Sequence, residues 1–279
     1  MQNKHPKVLP TFMIIIFALL FPLLANTKQS LMNVLFASQE KRIGPVQEVQ
    51  LWQTENDSAV HTGVMPIVAN DYSKQREKMV KTQIEGRGVK HQATLNSMKM
   101  VERHRFIPKN IESHAYADRP LPIGYGQTIS QPYIVAYMTE KLEPKVEETV
   151  LEIGTGSGYQ AAVLANIVKE VYTIEIVPEL GKTAKERLKV LGYDNVHVKA
   201  ADGYFGWNEH APFDNIIVTC AAGYIPPPLI KQLKDGGKMI IPVGTPFSIQ
   251  WLMMVEKNGK DIITRKLIPV RFVPFRRSK

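Results

Sequence analysis

Residues 150–159, VLEIGTGSGY, decide the fold of this chain. An apolar strand runs into three glycines at alternate positions, Gly154, Gly156 and Gly158, and a helix pattern follows at once. A strand, a glycine-rich turn and a helix typically hold a nucleotide cofactor, because glycine lets the backbone approach the ligand. A dinucleotide fingerprint spaces its glycines G-x-G-x-x-G, whereas here the third glycine comes one residue early. This spacing favours a cofactor without a pyrophosphate, and S-adenosylmethionine is the leading hypothesis.

Strand and helix patterns alternate on both sides of this turn. We predict strands over 149–153, 171–176, 196–199, 215–219, 238–242, 249–256 and 262–270, and helices over 133–142, 159–168, 178–191 and 227–233. Two amphipathic helices over 72–85 and 92–104 form a predicted N-terminal helical segment. The alternation predicts a doubly wound α/β fold, with a mostly parallel sheet and helices on both of its faces.

Acidic and small residues fall at the predicted strand ends, where parallel sheets bind their ligands. Glu175 ends the second strand, and a carboxylate there can accept hydrogen bonds from both hydroxyls of a ribose. Asp202 and Gly203 follow the third strand, where the Asp oxygen suits an adenine amino group. Asp214 opens the fourth strand and Cys220 follows its end. Any one acid is more often solvated or capping, but together these features predict a cofactor site.

Composition limits the other classes of function. The single cysteine, Cys220, excludes an internal disulfide framework and a cysteine-cluster metal site, and we expect no metal. The net charge of +9 is dispersed between the two ends of the chain and forms no basic stripe interleaved with aromatic residues. We therefore expect no nucleic-acid partner.

Residues 119–132, RPLPIGYGQTISQP, carry the most specific signal in the chain. This string resembles the segment before the first strand of the protein-L-isoaspartate O-methyltransferases, which are class I S-adenosylmethionine-dependent enzymes. The resemblance continues through residues 151–160, 202–207, 211–219, 233–244 and 270–275, and it covers residues 72–279. It implies methyl transfer to the free carboxylate of L-isoaspartyl residues in damaged proteins or peptides, which starts their repair through a succinimide.

The resemblance also implies roles for individual residues. It places Ser130 at the active-site position and a substrate-holding segment at 270–274. The cofactor-binding residues it implies are Gly154, Thr155, Gly156, Ser157, Gly158, Glu175, Asp202 and Gly203. The substrate-binding residues it implies are Ile123, Gly124, Gln127, Thr128, Ile129 and Val273.

The implied reaction needs no dedicated base. A carboxylate is already ionised at neutral pH, so the enzyme has to supply alignment and exclusion of water. We expect the Ser130 hydroxyl to orient the acceptor, because no His-Asp pair at usable spacing would make it a covalent nucleophile. A class I methyltransferase with a small-molecule acceptor is the alternative. A non-catalytic binding protein on this fold would be expected to lose Glu175 or a glycine, and neither is lost.

The ends of the chain set its predicted organisation. Lys4 and Lys7 precede an apolar run over 12–25, which has the length of a signal-peptide core and is short for a membrane span. We predict a signal-like or anchor segment over 1–26, a polar linker or arm over 27–70 and a methyltransferase domain over 71–279. Because S-adenosylmethionine is made from ATP in the cytosol, we expect the enzyme to act in the cytoplasm. We also expect a monomer. Export to the periplasm, or membrane contact through residues 8–25, is the alternative.

Overall fold

The computed structural model describes residues 72–245 and 248–278. The predicted segments 1–26 and 27–70 lie outside the described residues, so the domain boundary at residue 71 stays a prediction. Within the described ranges, no helix combines the length and the apolar character that a bilayer crossing requires.

The first described elements form a helical layer. Helix α1, Tyr72–Lys78, continues as a π-helix, Met79–Ile84, and helix α2 is Gln92–Met100. Met79, Ile84 and Met98 are fully buried, as their helical spacing predicts. Both predicted helices are therefore present, but the second ends earlier than residue 104. It ends because Val101 adopts an extended backbone, with φ −71° and ψ 119°.

An antiparallel hairpin that no sequence pattern predicts follows this layer. Strand β1 is Leu121–Gly124 and strand β2 is Gln127–Ile129. Tyr125 and Gly126 connect them with φ values of 52° and 71°. Positive φ at both central residues is what a tight two-residue hairpin turn requires. The strands have only 4 and 3 residues, which is too short for an alternating pattern to be visible in the sequence.

The main sheet has seven strands in the order β5-β4-β3-β6-β7-β8-β9. The strands are β3 Thr149–Ile153, β4 Glu170–Glu175, β5 Val196–Ala200, β6 Phe213–Val218, β7 Leu233–Val243, β8 Gln250–Asn258 and β9 Asp261–Val270. The first five in this order pair in parallel, whereas β8 pairs antiparallel with both β7 and β9. The predicted mostly parallel α/β fold is thus confirmed.

Helices cover both faces of this sheet. They are α3 Pro132–Leu142, α4 Tyr159–Ala165, α5 Pro178–Val190 and α6 Pro227–Gln232. Val150 of β3 lies in one core cluster with Met138 of α3 and Leu164 of α4. The next residue, Leu151, lies in another cluster with Leu229 of α6. Because successive strand residues point to opposite faces, these two clusters are the two sides of a doubly wound sheet.

Two details differ from the sequence expectations. Strand β7 begins at Leu233 instead of residue 238, and its register with β6 shifts between Phe213 and Asn215. Asp214 stands at the start of β6, where its carboxylate accepts hydrogen bonds from Thr149 N at 2.9 Å and Lys234 Nζ at 2.6 Å. It therefore lies at the amino end of a parallel strand, away from the edge where ligands bind.

Candidate active site

The glycine turn follows the carboxyl end of β3 and adopts a backbone conformation that is unfavourable for residues with a side chain. Gly154, Gly156 and Gly158 have φ values of 101°, 51° and 87°. A Cβ on Gly154 would lie 2.4 Å from Oγ1 of Thr219, which is closer than real atoms approach. Residues with side chains rarely adopt these φ values, so glycine is required here. Thr155 and Ser157, between the glycines, are both buried.

Glu175 at the end of β4 faces this turn. Its Oε2 accepts a hydrogen bond from Gly156 N at 2.7 Å, and its Oε1 accepts one from Val177 N at 2.9 Å. Two main-chain donors therefore fix the carboxylate beside the glycine turn. Each carboxylate oxygen can accept more than one hydrogen bond, so acceptor positions remain for a ribose.

Asp202 after β5 has partners that the sequence patterns do not suggest. Its carboxylate accepts hydrogen bonds from Tyr204 N at 3.0 Å, Arg277 Nε at 2.9 Å and Ser278 N at 3.0 Å. Burial acts to raise the pKa of Asp202, but these hydrogen bonds outweigh burial and the pKa lies below its ordinary value. The predicted adenine acceptor is thus held by the C-terminal residues. An adenine amino group has to share this carboxylate with them or displace them.

The neighbouring Gly203 is also sterically required. A Cβ there would lie 2.4 Å from Cγ2 of Ile153. Gly203 therefore allows the chain after β5 to pass directly against the end of β3.

Glu152 is a site residue that the sequence reasoning missed. It lies in the middle of β3 and is fully buried, with Oε2 2.5 Å from Oγ1 of Thr173, which in turn lies 2.7 Å from Oγ1 of Thr155. Its Oε1 has no hydrogen-bond partner. Burial raises the pKa of Glu152 to about 8. A charged residue inside an apolar strand, directly before the glycine turn, is the signal that could have revealed it.

Three adjoining cavities open at this edge of the sheet. The largest, about 420 Å³, is lined by residues that include Ser130, Ile134, Ile249, Arg271, Phe272 and Val273. A second, about 50 Å³, is lined by residues that include Gln127, Gly154, Glu175, Gly203, Cys220 and Phe275. The third, about 30 Å³, is lined by residues that include Ile129, Ser130, Glu152, Thr155, Ser157 and Gln160.

Some residues line more than one of these cavities, and they link the predicted substrate residues to the predicted cofactor residues. Thr128 and Thr219 line all three cavities. Ser130 lies between the largest and the smallest, and Val273 lies between the largest and the second. A ligand bound in the 420 Å³ pocket would therefore contact a ligand bound over the glycine turn beside Thr128 and Ser130.

The remaining predicted substrate residues lie on the hairpin. Cδ1 of Ile123 lies 3.3 Å from the point where a Cβ on Gly156 would be, so β1 packs on the glycine turn. Gly124 contributes its left-handed backbone, with φ 94°, to the hairpin turn. The structure brings most of the predicted cofactor and substrate residues to the three cavities at this edge of the sheet. The exceptions, which line none of the three, are Ile123, Gly124, Gly156, Gly158 and Asp202. In the described part of the chain, no cluster of His, Cys, Asp or Glu could hold a metal ion.

Comparison with known proteins decides the family. The sequence model described as protein-L-isoaspartate(D-aspartate) O-methyltransferase (PCMT) matches residues 74–279. The chain belongs to the protein-L-isoaspartate(D-aspartate) O-methyltransferase family. Protein-L-isoaspartate O-methyltransferase 1 of Nitrosospira multiformis is 55% identical over 216 residues, which are 76% of this chain and 92% of that protein. Protein-L-isoaspartate O-methyltransferase 2 of Syntrophobacter fumaroxidans is 57% identical over 208 residues, which are 74% of this chain and 82% of that protein.

A solved structure agrees with this assignment. A crystal structure of a Plasmodium falciparum protein-L-isoaspartate O-methyltransferase in complex with S-adenosyl-L-homocysteine matches with a TM-score of 0.63 and 27% identity. The match covers 73% of this chain and 99% of that chain. The methyltransferase uses S-adenosylmethionine and methylates the free carboxylate of isoaspartyl residues in proteins, which starts their repair through a succinimide. A small-molecule acceptor is not favoured.

We expect the Glu152→Gln substitution to change how stability depends on pH. The pKa of Glu152 is raised in the folded protein, to about 8, above the ordinary value that it has in the unfolded chain. Its contribution to stability is therefore complete below the unfolded pKa and is lost as the pH rises through the folded pKa. The Gln variant should gain free energy of unfolding relative to the parent between pH 5 and pH 8, a window of about three pH units.

Urea denaturation without cofactor at several pH values measures this difference. Glu186→Gln, on an exposed part of α5, is the matched control for the loss of one carboxylate at the surface. Parallel pH curves for the parent and the Glu152 variant would contradict the role of burial.

Proposed function

We propose that this methyltransferase binds the isoaspartyl acceptor in the 420 Å³ pocket and holds its cofactor over the glycine turn, with Ser130 aligning the two. The observation that carries this proposal is the position of Ser130, which lines both the large pocket and the cavity beside the turn. Residues at such a junction are the ones that can contact an acceptor and a donor together.

The residues at the strand ends fit each part of the cofactor. The turn has no side chain at its three glycines, so a ligand can lie against the backbone there. Its residues are Gly154, Thr155, Gly156, Ser157 and Gly158. We assign the ribose hydroxyls to the carboxylate of Glu175, which two main-chain donors already orient. We assign the adenine to Asp202 and Gly203, in competition with Arg277 and Ser278.

Glu152 fits the amino-acid end of the cofactor. Its unpartnered Oε1 is a buried acceptor that lines the cavity shared with Ser130. An α-ammonium group is a hydrogen-bond donor of the right charge, and its approach would favour the ionised form of this carboxylate. Oε1 of Glu152 would therefore gain a hydrogen-bond partner only when the cofactor is in place, whereas Oε2 already accepts one from Thr173.

The acceptor carboxylate needs orientation more than activation. When bound, S-adenosylmethionine supplies a methyl group on a positively charged sulfur. A carboxylate oxygen can attack this methyl group without further help. We propose that the Ser130 hydroxyl donates a hydrogen bond to one acceptor oxygen and leaves the other directed at the methyl group. Of the predicted substrate residues, Thr128 and Val273 line this pocket and would hold the peptide in it. Gln127 and Ile129 line only the two smaller cavities, and Ile123 and Gly124 line none of the three. This arrangement supplies alignment and excludes water, which are the requirements of the reaction.

Labelled methyl transfer tests the function. We expect the protein to label a peptide that contains isoaspartate and to leave the twin peptide with a normal aspartate unlabelled. The normal residue presents its carboxylate one carbon further along the side chain, out of line with the cofactor. Equal labelling of both peptides, or of neither, would refute the proposed function.

Two variants separate alignment from cofactor binding. Ser130→Ala should lower kcat by about tenfold to a hundredfold with little change in cofactor affinity, since it removes one hydrogen bond to a charged acceptor. Glu175→Ala should instead weaken cofactor binding by about 1.5 to 3 kcal/mol, for the same physical reason at the ribose. Steady-state kinetics and calorimetric titration with S-adenosylhomocysteine measure the two effects. If Ser130→Ala abolishes cofactor binding, the loop is structural and its proposed role is wrong.

We also propose that the enzyme acts as a monomer in the cytoplasm, where its cofactor is made. All the proposed site residues lie in one chain, so no second copy is needed to complete the site. Size-exclusion chromatography of cell fractions, followed by the peptide assay, checks this proposal. We expect activity in the cytosolic fraction at the mass of one chain, 31.5 kDa. Activity confined to the periplasmic or membrane fraction would favour export or contact through residues 8–25.

A further inference from the structure

Arg103 is a fully buried charge that the reaction described above does not use. It begins a 3-10 turn, Arg103–Phe106, shortly after α2, and its side chain has no exposed surface. Buried arginines are usually paired with carboxylates, because an uncompensated charge in the interior is costly. Within the described ranges, Arg103 forms no ion pair, and its hydrogen bonds go to main-chain carbonyls. The residue therefore has a role that a simple ion pair does not explain.

The guanidinium joins the two ends of the hairpin segment. Its Nε donates to the carbonyl of Ala115 at 2.8 Å, and its Nη2 donates to the carbonyl of Ser130 at 2.8 Å. The chain between these two carbonyls contains β1 and β2 and supplies Thr128 to all three cavities. A planar guanidinium holds its donors in a fixed geometry, so this contact sets where Ser130 lies relative to the hairpin.

The Arg103 guanidinium keeps one unpartnered donor near the acceptor site. Its Nη1 has no hydrogen-bond partner. The guanidinium carbon lies 4.8 Å from the ring centroid of Tyr159, which lines the cavity that Ser130 and Glu152 share. Burial lowers the pKa of Arg103. An arginine keeps its charge even so, because its ordinary pKa is far above neutral pH. Asp118 acts on this charge electrostatically, but its carboxylate is already paired with Arg87 at 2.8 Å, so a positive charge stays behind the main chain of Ser130.

We propose that Arg103 is a positioning residue for the acceptor carboxylate: it fixes Ser130 through the Ser130 carbonyl, and its buried charge favours an anionic acceptor over a neutral one. This inference rests on the proposed role of Ser130. Arg103 does not line the 420 Å³ pocket, so it acts through Ser130 and through its electric field, without contact with the substrate.

Two substitutions separate geometry from charge. Arg103→Lys keeps the charge but cannot span both carbonyls with one planar group. Arg103→Met removes the charge and keeps an apolar stem of similar length. For each variant we would measure kcat and KM for an isoaspartyl peptide, the Kd for S-adenosylhomocysteine, and the Ki of the corresponding isoasparaginyl peptide, which is a neutral competitor. The ratio of Ki to KM reports how strongly the enzyme prefers an anionic acceptor.

We expect kcat to fall by about tenfold to a hundredfold in both variants, because a displaced aligning group costs this much. The Kd for S-adenosylhomocysteine should stay within about threefold of the parent value, since Arg103 holds none of the cofactor residues. The ratio of Ki to KM should be kept in Arg103→Lys and should fall at least about fivefold in Arg103→Met. A merely structural residue would not produce this difference between the two variants.

Arg187→Met is a matched contrast. Arg187 Nη1 donates to the carbonyl of Ser157 at 2.8 Å, so it makes the same kind of contact with the glycine turn. We expect this variant to raise the Kd for S-adenosylhomocysteine and to leave the ratio of Ki to KM unchanged. The two arginines should thus affect opposite halves of the site.

The outcomes that overturn the proposal are distinct from failure of the proposed function. If the parent does not label the isoaspartyl peptide, the function is wrong, and if Ser130→Ala is fully active, the role of Ser130 is wrong. If both of those tests succeed, parent-like kinetics in folded Arg103 variants would overturn the proposal. A proportional loss of peptide and cofactor binding would show that Arg103 has only a structural role. Failure of both variants to fold, measured by circular dichroism, would show the same, and either result would also overturn the proposal.

Discussion

The left-handed backbone of the glycine turn is the constraint on which the rest of the structure depends. Gly154, Gly156 and Gly158 all have positive φ, and a Cβ on Gly154 would collide with Thr219 at the end of the adjacent strand. This conformation lets β3 end and α4 begin within a few residues. It also brings the amide of Gly156 within 2.7 Å of Glu175. This hydrogen bond connects the turn between β3 and α4 to the end of β4.

Two buried ionisable residues of opposite type lie near this turn. Glu152 lines the smallest cavity, whereas Arg103 lines none of the three and contacts the carbonyl of Ser130. Glu152 leaves Oε1 without a partner, and Arg103 leaves Nη1 without one. Unpaired polar atoms in the interior destabilise the folded state, so their retention requires a reason. In the proposed site, Oε1 of Glu152 would accept a hydrogen bond from an ammonium group, and the guanidinium of Arg103 would favour a carboxylate. Because the raised pKa keeps Glu152 mostly protonated at neutral pH, only Arg103 is charged before the proposed ligands bind.

Particular residues show how far sequence reasoning reaches. The strands around Gly154 and the acid at Glu175 follow from local patterns, because periodicity and glycine spacing are properties of neighbouring residues. The hairpin at 121–129 does not, since its strands are too short to show alternation. Arg103 looks like an ordinary residue of a helical segment, and Glu152 stands out only as a charged residue inside an apolar strand. Their importance depends on partners far along the chain, such as Ser130 at 27 positions from Arg103 and Thr173 at 21 from Glu152.

The sequence by itself determined the fold class, the cofactor and the acceptor chemistry of this protein. The fold class and the cofactor follow from local periodicity and glycine spacing, whereas the acceptor follows from the family resemblance of the string at 122–132. Only the tertiary structure decided which charges are buried, which carboxylates are already engaged and which residues stand between the pockets. Asp202 illustrates the difference, since its contact with Arg277 joins residues 75 positions apart. Burial and pairing are properties of the folded chain, and no local pattern encodes them.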